Sequence, residues 1–173
     1  MPYKNLREFT DWLEKNGQLK RISEPISPIL EMTEIQTRVM ANNGPAILFE
    51  NVIKKNGERI PIPVLTNLFG TVERVAWGMN QTPETLRTLG ETLAFLRQPQ
   101  PPNGIKEALA MLPMVKSALA MKPTIVSKAP CQDIILKGDK INLYDLPIQT
   151  CWPEEPSPLI TWPLVVSKSS DEL

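Results

Sequence analysis

The sequence predicts an α+β fold: a mixed, largely helical amino-terminal α/β region over residues 1–122, then the start of an all-β unit over residues 123–173. Three observations lead there. Apolar residues recur at three- and four-residue spacing through much of the first region. After Pro123 the texture changes to short apolar runs separated by tight turns. Proline is abundant, 18 residues in all, and clusters in the second half, where it punctuates rather than extends helices. At 173 residues the chain fits one domain, or one domain and part of another.

Each element has its own signal. Asn5 is placed as a helix N-cap with Glu8 three residues on, a capping-box pattern. Leu6, Phe9 and Leu13 follow at helical spacing, and Gly17 supplies a left-handed stop. A short strand is expected from Leu19 to Ile22. Ser27-Pro28 opens a second helix with Met32, Ile35 and Val39 on its buried face, ended by Asn42-Asn43-Gly44-Pro45. The apolar run from Ala46 to Phe49 reads as a buried strand. Lys54 to Glu58 is a polar connection, and Ile62 to Leu65 is expected to return beside that strand. Pro61 and Pro63 confine the returning strand to an edge or a bulge, because proline cannot donate to the ladder.

Thr71 begins an amphipathic segment carrying Val72, Val75 and Met79, and Thr82-Pro83 opens the clearest helix, with Leu86, Leu89, Leu93 and Leu96 in one stripe. The Pro99 to Pro102 run makes a stiff link. A further helix carries Ile105, Leu109 and Leu112, and Pro113 is expected to break or kink it before Val115 and Leu119. Beyond the boundary near Lys122, Ile134 to Leu136 and Ile141 to Leu143 read as strands joined at Lys137-Gly138-Asp139. Leu159 to Val166 reads as a last strand, with Pro163 marking an edge or bulge.

Composition excludes several classes of function. Lys+Arg and Asp+Glu each number 19, and no basic stripe interleaves with aromatics, so nucleic acid is not an expected partner. No apolar run approaches the ~20 residues that span a bilayer, and the start lacks a signal-peptide pattern; a cytoplasmic location is expected. Cys131 and Cys151 are too far apart for a Cys-x-x-Cys motif and are read as unpaired thiols. There is no histidine, so the commonest general base and metal ligand is missing.

Candidate chemistry is sparse. No dinucleotide fingerprint, P-loop, nucleophile elbow or metal-ligand cluster is present. Glu154 and Glu155 could serve as an acid/base pair beside Trp152. Adjacent carboxylates between prolines fit a solvated turn better, because neighbours in an extended chain point to opposite sides. Cys151 lacks a base to make its thiolate and reads as a packed thiol, as does Cys131. Tyr144-Asp145 fits either a hydrogen-bonded pair or a turn before Pro147, and Asn67 and Gly70 read as turn residues. Thr161 carries the best functional case. In a strand it faces opposite to Ile160 and Trp162, and a hydroxyl among apolar neighbours needs a partner, either a cofactor or nearby backbone.

Asn5-Leu-Arg-Glu-Phe with Gly17-Gln-Leu-Lys-Arg21 resembles the opening of the UbiD family, the 3-polyprenyl-4-hydroxybenzoate decarboxylases. Four further segments are similar in the same order: Gly44 to Asn51, Asn67 to Gly70, Ala129 to Gln132, and Leu146 to Glu154 followed by Pro158 to Trp162. The resemblance implies an amino-terminal α/β domain, then a split β-barrel like that of flavin reductases, of which this chain carries the first strands. It implies non-oxidative decarboxylation with prenylated FMN, Mn2+ and K+ in the complete enzyme, a polyprenylated 4-hydroxybenzoate or related aromatic acid as substrate, and a homo-oligomer. The prenyl tail implies peripheral contact with the cytoplasmic face of the inner membrane. Only Thr161 aligns with a position lining the family's flavin pocket. The family's Asn-x-Gly-x-Tyr-Arg metal strand and its catalytic acids align beyond Leu173, and Ser167 to Leu173 departs from the family's basic loop. The expected chain is therefore an inactive amino-terminal portion with no catalytic or metal-binding residue of its own. The alternatives are a non-catalytic oligomerisation or assembly module and a free-standing flavin-binding barrel.

Overall fold

The computed structural model describes residues 3–98, 104–120, 123–167 and 169. They form two compact units: Met1–Asn80 with Asn142–Leu173, and Gln81–Ile141.

The first unit opens with helix α1, Leu6–Lys15. Asn5 caps it by accepting the Glu8 N–H at 3.0 Å, while the Glu8 carboxylate accepts from Lys4, one residue before the expected capping-box partner. Phe9 and Leu13 are buried and Leu6 is exposed. The helix stops at Gly17, whose φ of 70° suits a residue without Cβ. Gln18 N–H reaches Leu13 O at 2.7 Å and Gly17 N–H reaches Glu14 O at 3.0 Å, the paired bonds of a Schellman stop.

Strand β1, Leu19–Ile22, follows as expected. Helix α2, Glu31–Ala41, starts three residues later than Pro28 suggested. The cause lies far along the chain. Pro28 O accepts from Thr150 N at 3.1 Å and Leu30 N donates to Thr150 O at 2.9 Å, so this backbone is engaged by a parallel bridge and Leu30 takes a φ of 63° before the helix begins. Met32 is fully buried, and Ile35 and Val39 pack against the core.

Strand β2, Ala46–Phe49, pairs in parallel with β1, from Leu19 opposite Ala46 to Ile22 opposite Phe49. Strands β3, Val52–Ile53, and β4, Arg59–Ile60, form a separate hairpin closed by the polar turn at Lys54 to Glu58. Strand β5, Val64–Thr66, returns antiparallel to β2 and completes the order β1-β2-β5. It is an edge strand, and Pro61 and Pro63 fall before it rather than within the ladder. The two faces of β2 feed two cores, because side chains alternate along a strand. Ile47 and Phe49 join Ile26, Met32, Val52 and Ile60 on one side. Ala46 joins Phe9, Leu13 and Leu19 on the other, with Leu48 packed against it.

Helix α3, Val72–Gly78, is capped by Thr71 but turns a different face inward than its apolar residues suggested. Arg74 and Ala76 are buried, and Val72 and Met79 are exposed.

In the second unit, α4, Pro83–Arg97, begins at Thr82, whose backbone N–H donates to the Thr85 hydroxyl at 2.9 Å. None of its residues is fully buried: of the expected leucine stripe, Leu86, Leu89 and Leu96 are half-buried and Leu93 is exposed. Helix α5, Ile105–Ala120, continues through Pro113 instead of breaking there. The Pro99 to Pro102 link and Lys122 lie outside the described residues.

The strands expected at Ile134 to Leu136 and Ile141 to Leu143 are not formed. The backbone there runs through irregular segments and the 3₁₀ turns Gly138–Lys140 and Leu143–Asp145. Leu159 to Val166 contributes one bridge, Gln149 to Leu159. A strand exists only where a neighbour completes its ladder; among the described residues the first two runs have none and the third has a single bridge.

Candidate functional site

The segment that carries most of the sequence candidates, Leu146 to Trp162, belongs to the first unit and is tied by a few bonds to the 28–32 stretch and to itself. Thr150 bridges to Pro28 and Leu30, Gln149 Nε2 lies 3.6 Å from Met32 Sδ, and Leu159 N donates to Gln149 O at 2.8 Å. Within it, Glu155 closes a turn: one carboxylate oxygen accepts from Cys151 N at 2.7 Å and Trp152 N at 3.2 Å. That carboxylate serves the backbone, which decides for the turn over the acid/base pair. Cys151 is half-buried and Cys131 exposed, and both are free thiols. Tyr144-Asp145 also resolves as a turn. Tyr144 N donates to Asn142 Oδ1 at 3.1 Å, while Asp145 accepts from Asn142 Nδ2 at 3.1 Å and Lys54 Nζ at 3.3 Å. The Asn142 bond closes the turn on itself, and the Lys54 ammonium pins it to the β3–β4 hairpin. The same carboxylate and Glu58 hold the Lys54 pKa above its usual range, against the opposing effect of desolvation.

Thr161 does not sit in a strand. It is exposed in a bend, next to Trp162 with a φ of 59°. A bulky residue in that left-handed region is strained by of order 1–3 kcal/mol. The Trp162 ring meets Phe69 at 5.8 Å, a contact within the first unit that holds the bend. Ile160, its neighbour on the other side, lines a cavity that Thr161 does not reach.

The most deeply buried polar group was not flagged by the sequence. Arg74 is fully enclosed, and its guanidinium is satisfied by carbonyls rather than a carboxylate. Nε donates to Leu68 O at 3.1 Å, Nη2 to Asn67 O at 3.1 Å, and Nη1 faces Gln18 Oε1 at 3.4 Å. Burial lowers its pKa, with the nearby Glu73 charge opposing. Asn67 is a turn residue, with a φ of 54°, and more: its Nδ2 donates to Gly44 O at 3.1 Å and Pro45 O at 2.9 Å. Gly70 is a glycine because a Cβ there would overlap Asn67 Oδ1. This cluster ties the start of β2 to the cap of α3, so Asn67-Leu68-Phe69-Gly70 is a structural knot rather than a ligand set.

The described residues do not by themselves assemble a site for the cofactor or the metal that the resemblance implies. No group of three or more His, Cys, Asp or Glu is gathered among them, and Thr161 offers a single exposed hydroxyl. Among the described residues no helix is long and apolar enough to cross a membrane.

Two sequence-family models match. Residues 10–93 match the 3-octaprenyl-4-hydroxybenzoate carboxy-lyase N-terminal domain, and residues 124–172 match the Rift-related domain of the same carboxy-lyase. This chain belongs to the UbiD family. Solved structures agree on the fold. An evolved dimeric form of the UbiD-class enzyme HmfF from Pelotomaculum thermopropionicum, in complex with prFMN, is similar at a TM-score of 0.60 and 24% identity, over 90% of this chain and 30% of that one. Vanillic acid decarboxylase of Sedimentibacter hydroxybenzoicus is similar in closed form (TM-score 0.58, 25% identity, 86% of this chain and 27% of that chain). Its open form is also similar (TM-score 0.53, 27% identity, 87% and 29%). The UbiD chain described here thus spans less than a third of the length of these relatives.

Proposed function

We propose that this chain is the amino-terminal portion of a prenylated-FMN-dependent, non-oxidative aromatic acid decarboxylase, and that its substrate is a 3-polyprenyl-4-hydroxybenzoate. The observation that carries the reading is the match, in order, of both carboxy-lyase domain models to one 173-residue chain. The prFMN complex of one similar enzyme supports a flavin as cofactor. In such chemistry the cofactor accepts the electrons left when CO2 departs, and the protein supplies position and protons. Mn2+ and K+ belong to the same reading, as do a homo-oligomer, a cytoplasmic location and peripheral membrane contact through the prenyl tail. Among the described residues there is no acid/base pair and no metal cluster, and we assign catalysis to the complete polypeptide, with the 173-residue chain inactive alone. Within it we place a domain boundary near Lys122, with the first part of a split barrel following, and we assign Thr161 to the flavin's surroundings.

CO2 release tests this. The complete polypeptide, supplied with prenylated FMN and Mn2+, decarboxylates 3-polyprenyl-4-hydroxybenzoate in preference to 4-hydroxybenzoate. No release from either acid would overturn the decarboxylase reading, and equal release would overturn the prenylated substrate.

One observation favours a second reading, a non-catalytic oligomerisation module. In the second unit Leu93, Ile105, Leu109 and Leu112 are all exposed, and uncovered apolar surface on helices is a common association face. Sedimentation of the 173-residue chain without flavin distinguishes it: a stable oligomer supports this reading, a monomer removes it.

A further inference from the structure

The cavity between the β3–β4 hairpin and the 143–160 segment, both in the first unit, has no part in the function proposed above. Its volume is about 410 Å3, within the size range of small-molecule sites. Its walls are mostly aliphatic, with Ile29, Ile60, Ile148 and Ile160 among them, and Tyr144 is its one aromatic ring. The cavity is bounded by hydrogen-bonded structure. Thr150 pins the Pro28 to Leu30 wall at 2.9 and 3.1 Å, and the Lys54–Asp145 ion pair at 3.3 Å ties the hairpin to the opposite wall.

The polar groups are few: Lys54, Lys55, the Tyr144 hydroxyl and Ser157. They are not equivalent. Lys54 already faces Glu58 and Asp145, whose carboxylates repel a second anion. Lys55 has no ion pair among the described residues, so it is the cation there that an incoming anion meets uncompensated. An aliphatic wall without a stacking pair of rings suits a flexible hydrocarbon chain better than a flat aromatic one.

We propose that this cavity binds a linear aliphatic monocarboxylate of about ten carbons, its chain against the isoleucines and its carboxylate at Lys55. Binding is driven by removing methylenes from water, so affinity rises roughly fourfold per added CH2 until the cavity is full. The exposed ion pair contributes a smaller factor, about threefold.

Ligand-observed NMR titration of the 173-residue chain with hexanoate, octanoate and decanoate tests this. The expected result is saturable binding that tightens with chain length, with decanamide about threefold weaker than decanoate. Lys55→Gln lowers decanoate to the level of decanamide, and Ser157→Trp, which fills the cavity from an exposed turn, abolishes binding of both. Circular dichroism checks that the filled variant folds, and Ile160→Trp replaces it if it does not. No saturable decanoate binding, affinity independent of chain length, or binding unchanged in a folded filled variant would overturn the proposal. An acyl chain offered by a lipid surface shares this chemistry. Cosedimentation with dioleoylphosphatidylglycerol vesicles that Ser157→Trp abolishes would therefore overturn the free acid as the occupant, and no cosedimentation is expected.

Discussion

Replacing Arg74 by methionine sets two large opposing effects against each other. The side chain is fully buried, and methionine retains much of its apolar stem. The guanidinium donates to Leu68 O and Asn67 O, both at 3.1 Å, and to Gln18 Oε1 at 3.4 Å. Its loss leaves two carbonyls without these donors, at about 1–3 kcal/mol each. Against this, removing a buried charge returns part of its desolvation cost. The net expectation for Arg74→Met is a loss of about 3 kcal/mol, the cost of the unsatisfied carbonyls less the part of the desolvation cost that is returned. Divided by a urea slope of about 1–3 kcal/mol/M, that lowers the unfolding midpoint by roughly 1–3 M. Tryptophan fluorescence reports it, because Trp12 and Trp77 meet edge-on at 5.3 Å in the same unit, whereas Trp152 and Trp162 are already exposed. Arg74→Lys keeps the charge but cannot span both carbonyls with the geometry of a guanidinium fork, so it falls between. A midpoint for Arg74→Met equal to or above wild type would refute the reasoning, showing that desolvation outweighs the bonds.

Four further substitutions extend the test. Gly70→Ala should lose about 1–3 kcal/mol, since the new methyl overlaps Asn67 Oδ1 while the Asn67 amide is held by two carbonyls; an unchanged urea midpoint would show that Asn67 moves freely. Glu155→Ala should speed amide exchange at Cys151 and Trp152 and cost about 1 kcal/mol locally, whereas Glu154→Ala stays within about 0.5 kcal/mol; equal effects would count against the turn. Thr161→Val in the complete polypeptide should reduce flavin occupancy, read by absorbance, with the melting temperature of the cofactor-free protein unchanged; full occupancy would remove Thr161 from the cofactor's surroundings.

What was legible in the sequence was whatever local chemistry decides. Asn5 as a cap, Gly17 as a stop, and the strands at Leu19 and Ala46 depend on neighbours a few residues away, and they form where expected. The edge position of β5 followed from two prolines. The start of α2 was not legible because Thr150, far along the chain, engages the backbone at Pro28 and Leu30. The buried face of α3 was missed because Arg74 is there, and a cation enclosed by carbonyls leaves no apolar periodicity to read. Strands were expected from Ile134 and Ile141 on composition, yet a strand needs a ladder partner, and composition does not supply one. The turn at Glu155 was readable from adjacent carboxylates between prolines. Thr161 was chosen on a strand geometry that the bend at Trp162 does not keep, so its case now rests on the family alignment.

The most direct test is CO2 release from 3-polyprenyl-4-hydroxybenzoate, measured in parallel for the 173-residue chain and for the complete polypeptide, each with prenylated FMN and Mn2+. Release by the complete polypeptide with none above background from the 173-residue chain is the expected result. Turnover by the 173-residue chain, or its absence in a flavin-loaded complete polypeptide, would contradict it.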